Sequence, residues 1–119
     1  MDSKPEISRL YDFYGELIPE AQQRVIQLYV NDDLSLSEVA DILSISRQGV
    51  RDALSRATKK LKEYERQLKL AQAYDSHRRA AQAIACDVRA ILSTAPGEEI
   101  AALCDKILTR LDDMIDRED

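Results

Sequence analysis

Apolar residues recur at helical spacing along most of the chain. Ile7, Leu10, Tyr11 and Tyr14 follow i, i+3, i+4, i+7, which predicts an amphipathic helix over residues 5–16, with Pro5 in a first turn that has no use for its missing N–H. A second helix is predicted from Pro19, burying Ala21, Val25, Leu28 and Tyr29 and ending at the polar turn Asn31-Asp32-Asp33. Ser35-Leu36-Ser37-Glu38 has capping-box spacing: Ser35 can accept from the N–H three residues on, while Glu38 reaches back to its backbone. A short third helix follows, with Leu36, Val39, Ala40 and Leu43 inward. Ser44-Ile45-Ser46 then makes a tight turn, plugged by Ile45, with Ser46 as the next N-cap.

The fourth helix is predicted to be long. Val50, Leu54, Ala57, Leu61, Tyr64, Leu68 and Ala71 alternate steps of four and three, and a helix over residues 47–70 would extend roughly 36 Å at 1.5 Å per residue. Asp75, His77, Arg78 and Arg79 interrupt the pattern, which predicts a bend or break within residues 70–80. Two further stripes, Ala81-Ile84-Val88-Ile91 and Ile100-Leu103-Ile107-Leu111-Met114, flank a helix stop at Ser93-Thr94-Ala95-Pro96-Gly97, and an antiparallel helical pair follows from them. The apolar surface of the 50–71 seam and of these stripes exceeds what one three-helix head can cover, which predicts a homodimer.

Composition supports helix over sheet: among 119 residues there are only three Gly, three Pro and no Trp, too few turn residues for many hairpins. No apolar run approaches the roughly 18 residues of a membrane span, so no membrane insertion is expected. Met1–Glu6 lacks the apolar core of a secretion signal. Cys86 and Cys104 have no Cys/His cluster around them and are read as small packing residues in a reducing compartment, and His77 as a solvated surface residue. The expected location is the cytoplasm.

Net charge is −5, but it is unevenly spread. Residues 1–46 carry 3 basic and 9 acidic side chains, residues 47–69 carry 8 and 3, and residues 70–119 carry 6 and 10. A locally basic stretch can bind phosphate whatever the total charge. That stretch coincides with the predicted long helix, and the segment Leu36–Leu61 (short capped helix, three-residue turn, longer basic helix) has the parts of a helix-turn-helix. In such a motif the first turns of the second helix reach base edges and later residues meet phosphate. The candidate nucleic-acid-binding residues are Arg47, Gln48, Arg51, Ser55, Arg56, Lys59 and Lys62: Gln48 to pair with adenine, Arg47 or Arg51 with guanine, and Arg56, Lys59 and Lys62 to hold the backbone. The same surface can equally be solvated or face a protein.

Leu36–Leu61, above all Leu54-Ser55-Arg56-Ala57-Thr58-Lys59-Lys60-Leu61, resembles the promoter-contacting helix-turn-helix of bacterial sigma factors. Over a longer span the chain resembles the YlxM family, small helix-turn-helix proteins typically encoded beside the signal-recognition-particle GTPase. The residues concerned are Leu10-Tyr11-Asp12-Phe13-Tyr14, Leu28 through Leu36, Ser46-Arg47-Gln48-Gly49-Val50-Arg51-Asp52 and the helix through Tyr64. The resemblance implies a dimeric regulatory protein of the signal-recognition-particle pathway that binds DNA or the particle RNA. The alternative is a protein-interaction module that contacts the GTPase or its receptor without touching nucleic acid. The expected fold is all-α: a sigma-like helix-turn-helix domain over residues 1–70 with a long recognition helix, and a C-terminal helical pair over residues 71–119 for dimerisation or packing.

Two residues depart from the motif. Ser44 stands where Gly is preferred, because the turn needs a left-handed residue, at a cost of roughly 1–2 kcal/mol. Asp52 lies on the recognition face, where it would repel phosphate, accept from a cytosine amino group, or mark a protein or RNA partner. Gly49 costs about 1 kcal/mol within a helix, either for close backbone approach or as a tolerated surface glycine. Catalysis is not expected. There is one His and no metal cluster, phosphate-cradling loop or Ser/His/Asp set; Glu98-Glu99 and Asp112-Asp113 suit solvated faces, and no cofactor is called for.

Overall fold

The computed structural model describes residues 3–115 and is all-helical among them. The helices are α1 (Lys4–Tyr14), α2 (Glu20–Ile26), α3 (Leu36–Leu43), α4 (Arg47–Leu68), α5 (Leu70–Leu92) and α6 (Glu98–Ile115). A 3₁₀ turn at Gly15–Leu17 follows α1, and a π turn at Gln27–Asn31 continues α2. The chain divides into two compact units, Met1–Ala71 and Gln72–Asp119.

In the first unit α4 packs against α1, α2 and α3. Its Val50, Leu54, Ala57 and Leu61 meet Ile7, Tyr14, Ile18, Val25, Ile26, Val39 and Ala40 in one buried cluster. The two serine caps form as predicted. Ser35 accepts from the Glu38 N–H at 3.1 Å while Glu38 accepts from the Ser35 N–H at 3.0 Å. Ser46 accepts from the Gly49 N–H at 2.9 Å, so each helix of the motif starts with its third N–H capped by a serine. Between them Ser44 is left-handed (φ 57°, ψ 43°), and the Ile45 N–H closes back on Ala40 O at 3.1 Å.

Several expectations are corrected. Ala21 is exposed, because the buried face of α2 runs through Val25 and Ile26 instead. The π turn bonds the Asp32 N–H to Gln27 O at 2.9 Å, and Leu28, Tyr29 and Val30 are all left half-buried rather than forming one stripe. Ile45 is no buried plug; it is 43% exposed and lies over Gly49. The long helix, expected over residues 47–70, ends at Leu68 before a left-handed Lys69 (φ 55°), and the bend or break expected within residues 70–80 is absent, since α5 runs unbroken through Asp75, His77, Arg78 and Arg79. The reason is a side-chain cap: Tyr14 Oη accepts from the Leu70 N–H and Glu65 Oε1 from the Ala71 N–H, both at 3.0 Å, so a new helix starts at once. Leu68, placed in the seam by its spacing, is consequently 52% exposed.

In the second unit the antiparallel pair is present, but its seam is built from smaller residues than predicted. Ala81, Ala85 and Leu111 form its core, with Leu108 and Ile115 packed against them, and Val88 and Cys104 are also buried. The turn is closed by Ser93 and Thr94 hydroxyls that donate to Ala90 O and Ile91 O, and the Tyr74 hydroxyl donates to Ile115 O at 3.2 Å. Ile84, Ile91, Ile100, Leu103, Ile107 and Met114, expected in the seam, are each 40% or more exposed. Small residues take up much of the buried contact, and the large ones lie beside it. Because antiparallel helices reverse the sense of rotation, the outlying residues of α5 and α6 fall on the same side of the pair. Cys86 is likewise exposed rather than packed, whereas His77 is exposed as expected. No helix among the described residues is long and apolar enough to cross a membrane.

Candidate nucleic-acid interface

The candidate site lies on α4, which the Ser46 cap starts and the core cluster fixes in rotation. Val50, Ala57 and Leu61 are fully buried, so the opposite surface is held outward. All seven candidate residues, Arg47, Gln48, Arg51, Ser55, Arg56, Lys59 and Lys62, are exposed. Arg47, Arg51, Arg56 and Lys59 have no ion-pair partner among the described residues.

The seven do not form a single patch. Arg51, Ser55, Lys59 and Lys62 line a groove of about 390 Å³ together with Lys4, Ile7, Tyr29, Leu36, Leu54 and Thr58. Arg47 and Gln48 lie at the start of the helix outside that groove, and Arg56 is about 140° round the helix from Arg51 at 100° per residue. Gln48 is occupied by its own helix: its Nε2 donates to Asp52 Oδ1 at 3.0 Å. That bond draws the Asp52 carboxylate along α4 and engages the amide expected to read adenine.

Lys4, Tyr29, Leu36 and Thr58 were not foreseen as part of this surface. Thr58 follows Arg51 by two helical turns and could have been found from α4 alone. Lys4 and Tyr29 come from α1 and the π turn, far away in sequence. Lys4 Nζ bonds Asp33 Oδ1 at 2.7 Å and sits 4.3 Å from the centre of the Tyr29 ring. The bond holds the Lys4 ammonium above and the Asp33 carboxyl below their ordinary pKa values. A Cβ at Gly49 would lie 3.2 Å from the capping Ser46 Oγ, a tight contact that the cap would have to relieve by a few tenths of an ångström. Among the described residues no group of three or more His, Cys, Asp or Glu could hold a metal ion.

The profile of the UPF0122 family, described as "putative helix-turn-helix protein, YlxM / p13 like", matches residues 1–92. The chain belongs to this family. A UPF0122 protein of Acetivibrio thermocellus is 33% identical over 116 residues, covering 98% of this chain and 99% of that protein. The UPF0122 protein CPE1714 of Clostridium perfringens (strain 13 / Type A) is 44% identical over 79 residues, 66% of this chain and 70% of its own length. UPF0122 protein TTE1463 of Caldanaerobacter subterraneus subsp. tengcongensis is 51% identical over 61 residues, 51% of this chain and 52% of its own. UPF0122 membership thus agrees with the capped Leu36–Leu68 geometry in making this a helix-turn-helix protein, a type that points to nucleic-acid-binding regulators.

Proposed function

We propose that the protein is a regulator that binds nucleic acid through α4, using Arg47 and Arg51 near the helix start and Arg56, Lys59 and Lys62 along the backbone of the ligand. One observation carries the reading: Arg47, Arg51, Arg56 and Lys59 are exposed, with no ion-pair partner among the described residues, on the second helix of a correctly capped helix-turn-helix, in a chain whose net charge is −5. Cations that acidic neighbours could have neutralised, and do not, are available to phosphate. The Gln48–Asp52 bond argues that positioning on the backbone outweighs base readout at the helix start. The regulated process is proposed to be the signal-recognition-particle pathway, on the resemblance to YlxM proteins alone.

The active form is proposed to be a homodimer joined through the C-terminal pair. Its core of Ala81, Ala85, Val88, Cys104 and Leu111 is small, while Ile84, Ile91, Ile100, Leu103, Ile107 and Met114 form an uncovered face on one side. A second copy of the same face would complete a four-helix arrangement.

The binding reading is tested by fluorescence anisotropy with a labelled duplex DNA and a labelled RNA hairpin, at low salt. Arg56→Glu, Lys59→Glu and Lys62→Glu together should weaken binding at least a hundredfold while leaving the circular-dichroism melt unchanged. Equal affinity of wild type and triple variant would remove the proposed site.

A further inference from the structure

The groove beside α4 has a chemistry that nucleic-acid binding does not use. Its floor is apolar: Ile7 and Leu54 are buried and Leu36 and Tyr29 half-buried. Its rim carries Arg51, Lys59 and Lys62, with Lys4 paired to Asp33 at one end, and no carboxylate is among the described lining residues. Ser55 and Thr58 supply hydroxyls along the α4 wall. Lys4 is kept at the rim by its bond to Asp33 and its place over the Tyr29 ring.

A nucleic-acid backbone would satisfy the rim and leave the floor empty. The floor offers aliphatic carbon, which neither a phosphate nor the hydrogen-bonding edge of a base matches. We infer that the groove docks a short acidic, amphipathic segment of a partner protein: aliphatic side chains enter between Ile7, Leu36 and Leu54 while carboxylates meet Arg51, Lys59 and Lys62. At about 390 Å³ the groove has room for a few medium-sized side chains, the scale of helix-in-groove recognition by anchors at i, i+3, i+4 and i+7. Charge complementarity selects the occupant, since an acidic chain of −5 net charge presents here Arg51, Lys59 and Lys62 along one wall, with no carboxylate among the described lining residues. Arg51, Lys59 and Lys62 are shared with the proposed nucleic-acid surface, so the two ligands exclude each other at this flank, and a partner's acidic segment would regulate α4.

The test uses the full chain and a fluorescein-labelled, helix-forming peptide with leucines at i, i+3, i+4 and i+7 and glutamate or alanine elsewhere. A peptide of the same composition with the leucines scattered serves as control. The amphipathic peptide should bind at least tenfold more tightly than the scattered one. Lys59→Glu with Lys62→Glu, both at exposed positions, should weaken it at least tenfold, and so should Leu36→Gln, which spares every charge. Arg47→Glu with Arg56→Glu, off the groove, should lower duplex affinity and leave the peptide unaffected. Equal binding of both peptides, or none of either, overturns the groove inference even where the duplex binds; peptide binding without duplex binding leaves it standing and sinks the nucleic-acid reading instead.

Discussion

The Tyr14 hydroxyl donates to the Glu65 carboxylate, 51 residues further along the chain, and both side chains go on to receive backbone N–H groups at the start of α5. Tyr14 is fully buried, so its one polar atom spends all its capacity on this cap. The cap satisfies helix donors that Lys69, in its left-handed turn, would otherwise leave open. Tyr14→Phe should therefore cost about 1–2 kcal/mol in a urea melt, more than an exposed tyrosine would, because the Leu70 N–H and Glu65 lose their partner.

The same bond has a pH signature. Burial, and then the bond to Glu65, holds the Tyr14 phenol above its ordinary value, while the Leu70 N–H pulls it down. A raised folded pKa means that the stabilisation is complete below the unfolded value of about 10 and is lost as pH rises through the folded value. Melting temperature followed into the alkaline range should fall for wild type, and the fall should be shallower for Tyr14→Phe.

Ser35→Ala removes the acceptor of the Glu38 N–H and undoes half of the capping box at α3. The loss should be about 1 kcal/mol by chemical denaturation. Ser44→Gly should act oppositely: relief of the left-handed strain at φ 57° exceeds the added entropy of the unfolded chain, for a gain of about 0.5–1 kcal/mol. A Ser44→Gly variant with a lower melting point would show that the serine is not strained there.

The dimer is tested at Leu103 and Ile107, 59% and 40% exposed on the outer side of α6. Leu103→Glu with Ile107→Glu should yield a monomer by sedimentation while retaining helicity, whereas wild type should sediment with twice the chain mass. A wild type that stays monomeric at every concentration contradicts this assembly.

Much of the first unit was legible because its signals are local. A serine cap with glutamate three residues on, or a serine before a basic helix, acts within one turn, and Ser35, Glu38 and Ser46 do what their spacing implies. The end of the long helix was legible to within two residues, but the left-handed turn at Lys69 and the immediate start of α5 were not: a lysine carries no left-handed signature, and the groups that stabilise the turn are Tyr14, on another helix, and Glu65. The C-terminal pair misled for a different reason. Each helix carries two adjacent stripes, and the large residues Ile84, Leu103 and Ile107 mark the outer one, while Ala81, Ala85 and Cys104 lie on the buried one. Of the candidate site, the exposed side of α4 was readable from its own period, but the groove depends on Lys4 and Tyr29, which only the fold brings there.

The most direct measurement is the salt dependence of duplex binding by the wild-type protein. Each phosphate neutralised by an α4 cation contributes roughly −0.9 to the slope of log affinity against log salt concentration. The slope should be steep and negative and should become shallower by about that amount with each of Arg56, Lys59 and Lys62 replaced by alanine. A slope near zero, or one indifferent to those three replacements, would mean that α4 does not hold a nucleic-acid backbone.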